Sequence, residues 1–161
     1  MSELTFQAVL VGRVLLARAR GALTATSLAE VLRQVAAARA QVGKPLLYWP
    51  VLDPGAEVPP PEVRVLLSDA TEALLRSCES MTLIIPGHGV KVSLLRTFMR
   101  GMVRLGGHAA RVRIVDSLAA AVSAAAGEAS IDLAELRSAA EAAGIDVEGV
   151  DASRSGPMQT R

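Results

Sequence analysis

Leu46–Leu52 reads LLYWPVL, a near-continuous apolar run of strand length. A strand with one wet face alternates apolar and polar residues, so a run without alternation belongs to a strand covered on both faces. That segment demands a sheet with a layer on each side, and its neighbours have the periodicity of those layers. Leu28, Val31, Leu32 and Val35 fall on one helical face that runs to about Val42 and stops at Gly43-Lys44-Pro45. From Glu62, residues Val63, Leu67, Ala70, Leu74 and Cys78 share a second helical face. Met81–Pro86 (MTLIIP) is the next strand, Lys91–Leu105 the next helix and Arg111–Val115 (RVRIV) the last strand, with Arg111 and Arg113 on one face. Strands that alternate with helices lie parallel, joined by right-handed crossovers.

The ends of the chain complete the plan. Leu4–Val11 and Arg13–Arg20 are strand-forming runs that meet at Gly12, the pattern of an antiparallel hairpin. Ser27-Leu-Ala-Glu30 has capping-box spacing and marks the first helix start. Pro50 has no N–H for a ladder, so a bulge or an early strand end is expected there. Asp53–Pro61 is a loop. Asp116 is placed to cap a short helix, Ser117–Ala126. Ser130–Ala143 is a further amphipathic helix with Ile131, Leu136 and Ala140 inward and Glu135 and Glu141 outward, ended by Gly144. The expected fold is α/β: a five-stranded mixed sheet in the order ββαβαβαβα plus an extra C-terminal helix. Residues 1–126 form the domain, 127–144 hold the extra helix, packed on it or on a partner, and 145–161 are a flexible tail.

Composition narrows function by exclusion. A chain of 161 residues builds one core. One cysteine permits no internal disulfide, and two histidines leave little for metal sites or nucleophilic triads. No apolar stretch reaches the roughly 20 residues of a membrane span, and no secretory signal is evident, so a cytoplasmic location is expected. Net charge is +1, but residues 80–115 hold six basic groups (Lys91, Arg96, Arg100, Arg104, Arg111, Arg113) and no acid. Near-neutral charge and only four aromatic residues argue against a nucleic-acid partner.

Three stretches carry a resemblance. Arg20-Gly21-Ala22-Leu23-Thr24, leaving the second strand, is similar to a Gly-x-Leu turn. Leu95 followed by Met99-Arg100-Gly101-Met102 is similar to a Leu-x-x-x-x-x-Gly-Leu helix end. Ile114-Val115-Asp116-Ser117-Leu118, with Ala121 and Val122, is similar to a closing strand that runs into Asp-Ser-Leu-x-x-Ala. In this order, over residues 4–126, they resemble the STAS domain, the fold of bacterial anti-sigma-factor antagonists. The resemblance implies a small regulatory domain that binds another protein, sometimes a small ligand or lipid. Phosphoregulated members carry Ser or Thr at the start of the second helix. Here Leu52–Glu62 contains no hydroxyl, and Ser68 and Thr71 come two or more turns later and face outward, so that switch is not carried over.

Candidate sites follow from local chemistry. Gly87, His88, Gly89 and Lys91 join a strand to a helix, where free backbone N–H groups can hold an anion. The same glycines serve an ordinary tight turn. His88 and His108 flank one helix with no metal-ligand spacing. Asp53 and Glu57 pair with no nucleophile and read as solvated loop carboxylates. Arg96, Arg100 and Arg104 form a stripe at every fourth residue. Leu94, Phe98, Met102 and Leu105 form a central apolar line on the same helix, which Val92, Leu95, Met99 and Val103 widen to about half the circumference. The surface expected to bind a partner is Leu95, Arg96, Met99, Arg100, Met102, Val103 and Arg104. The leading expectation is thus a non-enzymatic, cofactor-free domain that binds protein, itself included as a dimer. The alternative is a sensor or carrier of a small apolar or anionic ligand in a sheet–helix pocket, with Arg96 or Lys91 at its mouth.

Overall fold

The computed structural model describes residues 5–20, 23–53, 56 and 58–146. Strands β1 (Thr5–Val11) and β2 (Val14–Arg20) form an antiparallel hairpin around Gly12, whose φ of 59° suits glycine. Helix α1 (Ala25–Val42) leads to β3 (Leu46–Val51), α2 (Pro61–Ser77) to β4 (Cys78–Ile84), and α3 (Val90–Leu105) to β5 (Val112–Val115). Helices α4 (Leu118–Ala124) and α5 (Leu133–Ala142) follow. The sheet order is β1-β2-β3-β4-β5, with β1 antiparallel to β2 and all later pairs parallel. This is the expected α/β class and element order.

Because each parallel strand is added on the same side, right-handed crossovers deliver α1, α2 and α3 to one face of the sheet. There Leu15, Ala17, Tyr48 and Met81 pack with α1 and α2, while Leu83 and Ile85 meet Val92 and Leu95 of α3. The opposite face is closed by α4 and α5, whose Leu118, Leu136 and Ala140 cover Leu16, Leu47, Trp49 and Ile84. Strand β3 is therefore buried on both sides, as its unbroken apolar run requires. A Glu128 cluster pins the connection between α4 and α5 to the sheet. Its carboxylate takes the Ser80 hydroxyl at 2.7 Å and pairs with Arg113, and its carbonyl takes Arg13 at 2.8 Å.

Several expectations are corrected. Strand β3 runs through Pro50, and the irregularity falls between Leu46 and Leu47, opposite Cys78 and Ser80. Leu47 N–H donates to the carbonyl of Arg13, just before β2, and Leu52 N–H to that of Ile84 on β4, so strand alternation turns the Pro50 nitrogen toward β4 and forfeits one bond only. The first helix begins at Thr24, which exchanges capping bonds with Ser27; Glu30 instead takes Arg33 and Gln34, and the hydrogen bond from Arg33 first of all lowers its carboxyl to about 2. Ser117, not Asp116, caps α4, and Asp132 caps α5. Cys78 ends α2 and opens β4 rather than riding on the helix. Arg111 lies outside β5 and donates to the carbonyls of Leu75, Cys78 and Glu79, whereas Arg113 turns to the α4 side, donating to Ala124.

The supposed tail begins inside the core. Ile145 is 2% exposed and packs with the α4 and α5 cluster, and the Asp146 carbonyl takes Arg18 at 3.3 Å. Residues 147–161 lie outside the described residues. The extra helix packs on its own chain, on the face away from α3, so it does not cover α3. Ile145→Ala is expected to destabilise the fold by about 2–5 kcal/mol, the range for truncating a buried isoleucine. Chemical denaturation of the full chain checks this, and a change under about 1 kcal/mol would return Ile145 to the tail.

Candidate functional site

The face shared by α1, α2 and α3 is incompletely filled. A cavity of about 210 Å³ lies between the sheet and these helices. Its floor is sheet: Ala17 of β2, Tyr48 of β3, Met81 and Leu83 of β4. Leu28 and Val31 of α1 and Leu67, Ala70 and Leu74 of α2 form one wall; Leu95, Met99, Met102 and Val103 of α3 form the other. The polar side chains on the lining are Tyr48, Ser68, Thr71 and His108, and among the described residues it includes no Asp, Glu, Lys or Arg. His108 is half-buried on this lining. Its ring lies over Gly106, where a Cβ would come within 3.0 Å of it.

The residues expected on a partner surface divide. Leu95 is 3% exposed and belongs to the core, so it is corrected from surface to interior. Met99, Met102 and Val103 are half-buried cavity wall. Arg96 is corrected too. It reaches back to the end of β4, donating to the Ile85 carbonyl at 2.6 and 3.0 Å and to the Gly87 carbonyl at 2.8 Å. Arg100 and Arg104 are exposed, on an open groove of about 410 Å³ between α3 and the edge strand β5. The apolar residues left outward are Val90, Leu94 and Leu105, the last two 59% and 91% exposed. The inward line of α3 is thus Val92, Leu95 and Met99 rather than Leu94, Phe98 and Leu105. Phe98 is half-buried under Arg64 of α2, whose guanidinium carbon stands 4.7 Å from the ring centre.

Gly87 and Gly89 take φ of 101° and 102°, so the turn before α3 needs glycine at both positions. His88 and Lys91 are exposed there, and the Gly87 carbonyl is engaged by Arg96. Asp53 pairs with Arg18 at 2.5 Å, and Glu57 lies outside the described residues. No cluster of three His, Cys, Asp or Glu side chains occurs among the described residues. Ser68 and Thr71, expected outward, both border the cavity; Thr71 donates its hydroxyl to the Leu67 carbonyl at 2.7 Å. Cys78 is buried, and desolvation pushes its thiol up to about 12 against a weaker opposing pull from Arg111.

No described helix is long and apolar enough to cross a membrane. Comparisons with protein-family models, curated proteins and solved structures find no match to this chain.

Two outcomes follow. Arg96→Ala is expected to lower stability by about 1–3 kcal/mol, because buried carbonyls lose a charged donor, whereas Arg100→Ala stays within about 0.5 kcal/mol; equal effects in urea melts would refute the division. Cys78 is expected to resist alkylation in the native state and to react only after unfolding. Its folded pKa is the higher one, so the unfolded chain releases the proton first. Stability should therefore fall as pH rises from about 9 toward about 12.

Proposed function

We propose that this chain is a non-enzymatic, STAS-like binding domain, without the phospho-switch, that takes a small apolar molecule into the cavity beneath α3. The cavity supports this reading by size and lining. An apolar cavity of about 150 Å³ admits benzene, and this one is about 210 Å³. The cavity opens to solvent at exposed Ser68 and Gly106, so an apolar ligand has a way in, and there it gains contacts with the apolar side chains that make up most of the lining. Arg96 and Lys91, expected at the mouth, are not on the lining, which favours an apolar over an anionic occupant.

The protein-binding reading keeps one supporting observation. Val90, Leu94 and Leu105 stay exposed on α3, beside Arg100 and Arg104, which have no carboxylate partner among the described residues. One helix thus supplies both a cavity wall and an outward face.

Xenon, a probe for apolar cavities, tests the proposal by methyl NMR. Saturable shifts are expected at Met81, Met99 and Met102. Met99→Trp, which fills the space from the α3 wall, should abolish those at Met81 and Met102 with a melting temperature unchanged or raised. Shifts that are absent, or that grow linearly without saturation in the unsubstituted chain, would sink the reading.

A further inference from the structure

We infer that the molecule held beneath α3 is uncharged and largely hydrocarbon, of roughly 8–10 non-hydrogen atoms by scaling from benzene, with a single hydrogen-bond acceptor met by the Tyr48 hydroxyl. This rests on the cavity reading above and adds the chemical class.

Charge is decided by the lining. It has no acid, lysine or arginine among the described residues, and the nearby arginine of α3, Arg96, has donors committed to the Ile85 and Gly87 carbonyls. An ionised carboxylate or amine in such a space loses its water without gaining a counter-charge, a cost an uncharged molecule avoids.

The single polar contact is decided by position. Of the four polar side chains on the lining, Ser68 is exposed and Thr71 and His108 are half-buried, so all three are in reach of bulk water. The Thr71 hydroxyl already donates to the Leu67 carbonyl. Tyr48 differs. It stands in the central strand of the floor, 4% exposed, and its hydroxyl has no hydrogen-bond partner among the described residues. The hydroxyl is not among the solvent-inaccessible unpaired atoms, which among the described residues are Arg18 Nε, Trp49 Nε1 and Thr82 Oγ1, so water can reach it from the cavity, and a ligand that displaces that water without offering an acceptor leaves the hydroxyl unpaired. Burial first, and the neighbouring Cys78 second, raise the Tyr48 phenol well above its ordinary value, so at neutral pH it carries its proton and can donate. An acceptor on an otherwise apolar ligand satisfies it.

Three ligands of nearly equal size separate the terms: acetophenone, with a carbonyl acceptor; cumene, without one; and benzoate, ionised at neutral pH. Binding to the full chain is measured by calorimetry and by thermal shift, in the unsubstituted protein, in Tyr48→Phe and in Met99→Trp. Acetophenone is expected to bind roughly 3- to 10-fold tighter than cumene, the worth of one net hydrogen bond. Tyr48→Phe should erase that preference while leaving cumene unchanged, and Met99→Trp should remove both. Equal affinity for acetophenone and cumene, or a preference that survives Tyr48→Phe, overturns the role of Tyr48 and leaves the cavity reading intact. Benzoate binding as tightly as acetophenone overturns the uncharged class. If none of the three binds while Tyr48→Phe and Met99→Trp stay folded, the cavity reading itself fails and this inference falls with it.

Discussion

Helices are wide and strands are narrow, and the rest of this structure depends on that mismatch. A helix is about 10 Å across with its side chains, while neighbouring strands are about 4.8 Å apart. Sequential parallel strands with crossovers of one hand place α1, α2 and α3 on the same face. Three adjacent helix axes need roughly 16–20 Å, but β2 to β5 span only about 14 Å at that strand spacing. The first two helices pack against each other over the middle of the sheet. The third is left at the margin beside β5 with less sheet beneath it than its apolar surface can use. Its excess is visible on both sides: Leu94 and Leu105 outward, and the gap behind Met99 and Met102 inward.

What holds α3 in place is accordingly more than apolar burial. Arg96 ties its first half to the end of β4, and the Arg64–Phe98 stack joins it to α2. The turn that enters it needs glycine at 87 and 89, and the turn that leaves it needs glycine at 107. Two methionines on the inner wall suit such a site, since an unbranched thioether re-packs at low cost where a branched side chain resists. The opposite face has the contrary character. There α4, α5 and Ile145 close tightly over Trp49 and Leu47, and the Glu128 cluster locks the connection. The sheet thus has one face closed by α4 and α5 and one that borders a cavity.

The fold was legible because its strongest signals are local. The apolar run of β3, the meeting of two strands at Gly12 and the helical spacing of α1 each identify an element without reference to its partners. Sequence and structure part where one pattern serves two structures. Cys78 sits four residues beyond Leu74 and so continues the helical face, yet the strand begins there with no punctuating glycine or proline. Thr24 and Ser27 both have hydroxyls suited to a cap, and only the reciprocal bond between them distinguishes the roles. Arg96 and Arg100 have the same spacing and charge, but one turns to carbonyls and the other to water. Ile145 is a lone apolar residue in a polar stretch, and its burial depends on α5 having already docked. The cavity has no linear signature at all, since it is a shortfall in packing among four elements; the surplus apolar width of α3 was its only trace.

The direct passage of α2 into β4 has a consequence for how this domain tolerates change in length. Ser77 is helix and Cys78 is strand, with Arg111 binding the carbonyls on both sides of the join. A single inserted residue here has no loop to absorb it. It would turn the strand over, exchanging Leu83 and Ile85 for Thr82 and Ile84 between the two layers. Additions to the chain are instead accommodated in the connection between β3 and α2, where Ala56 and Pro59 line the cavity. Variation in chain length among related domains would then reshape the surroundings of the cavity while leaving the central strands in register.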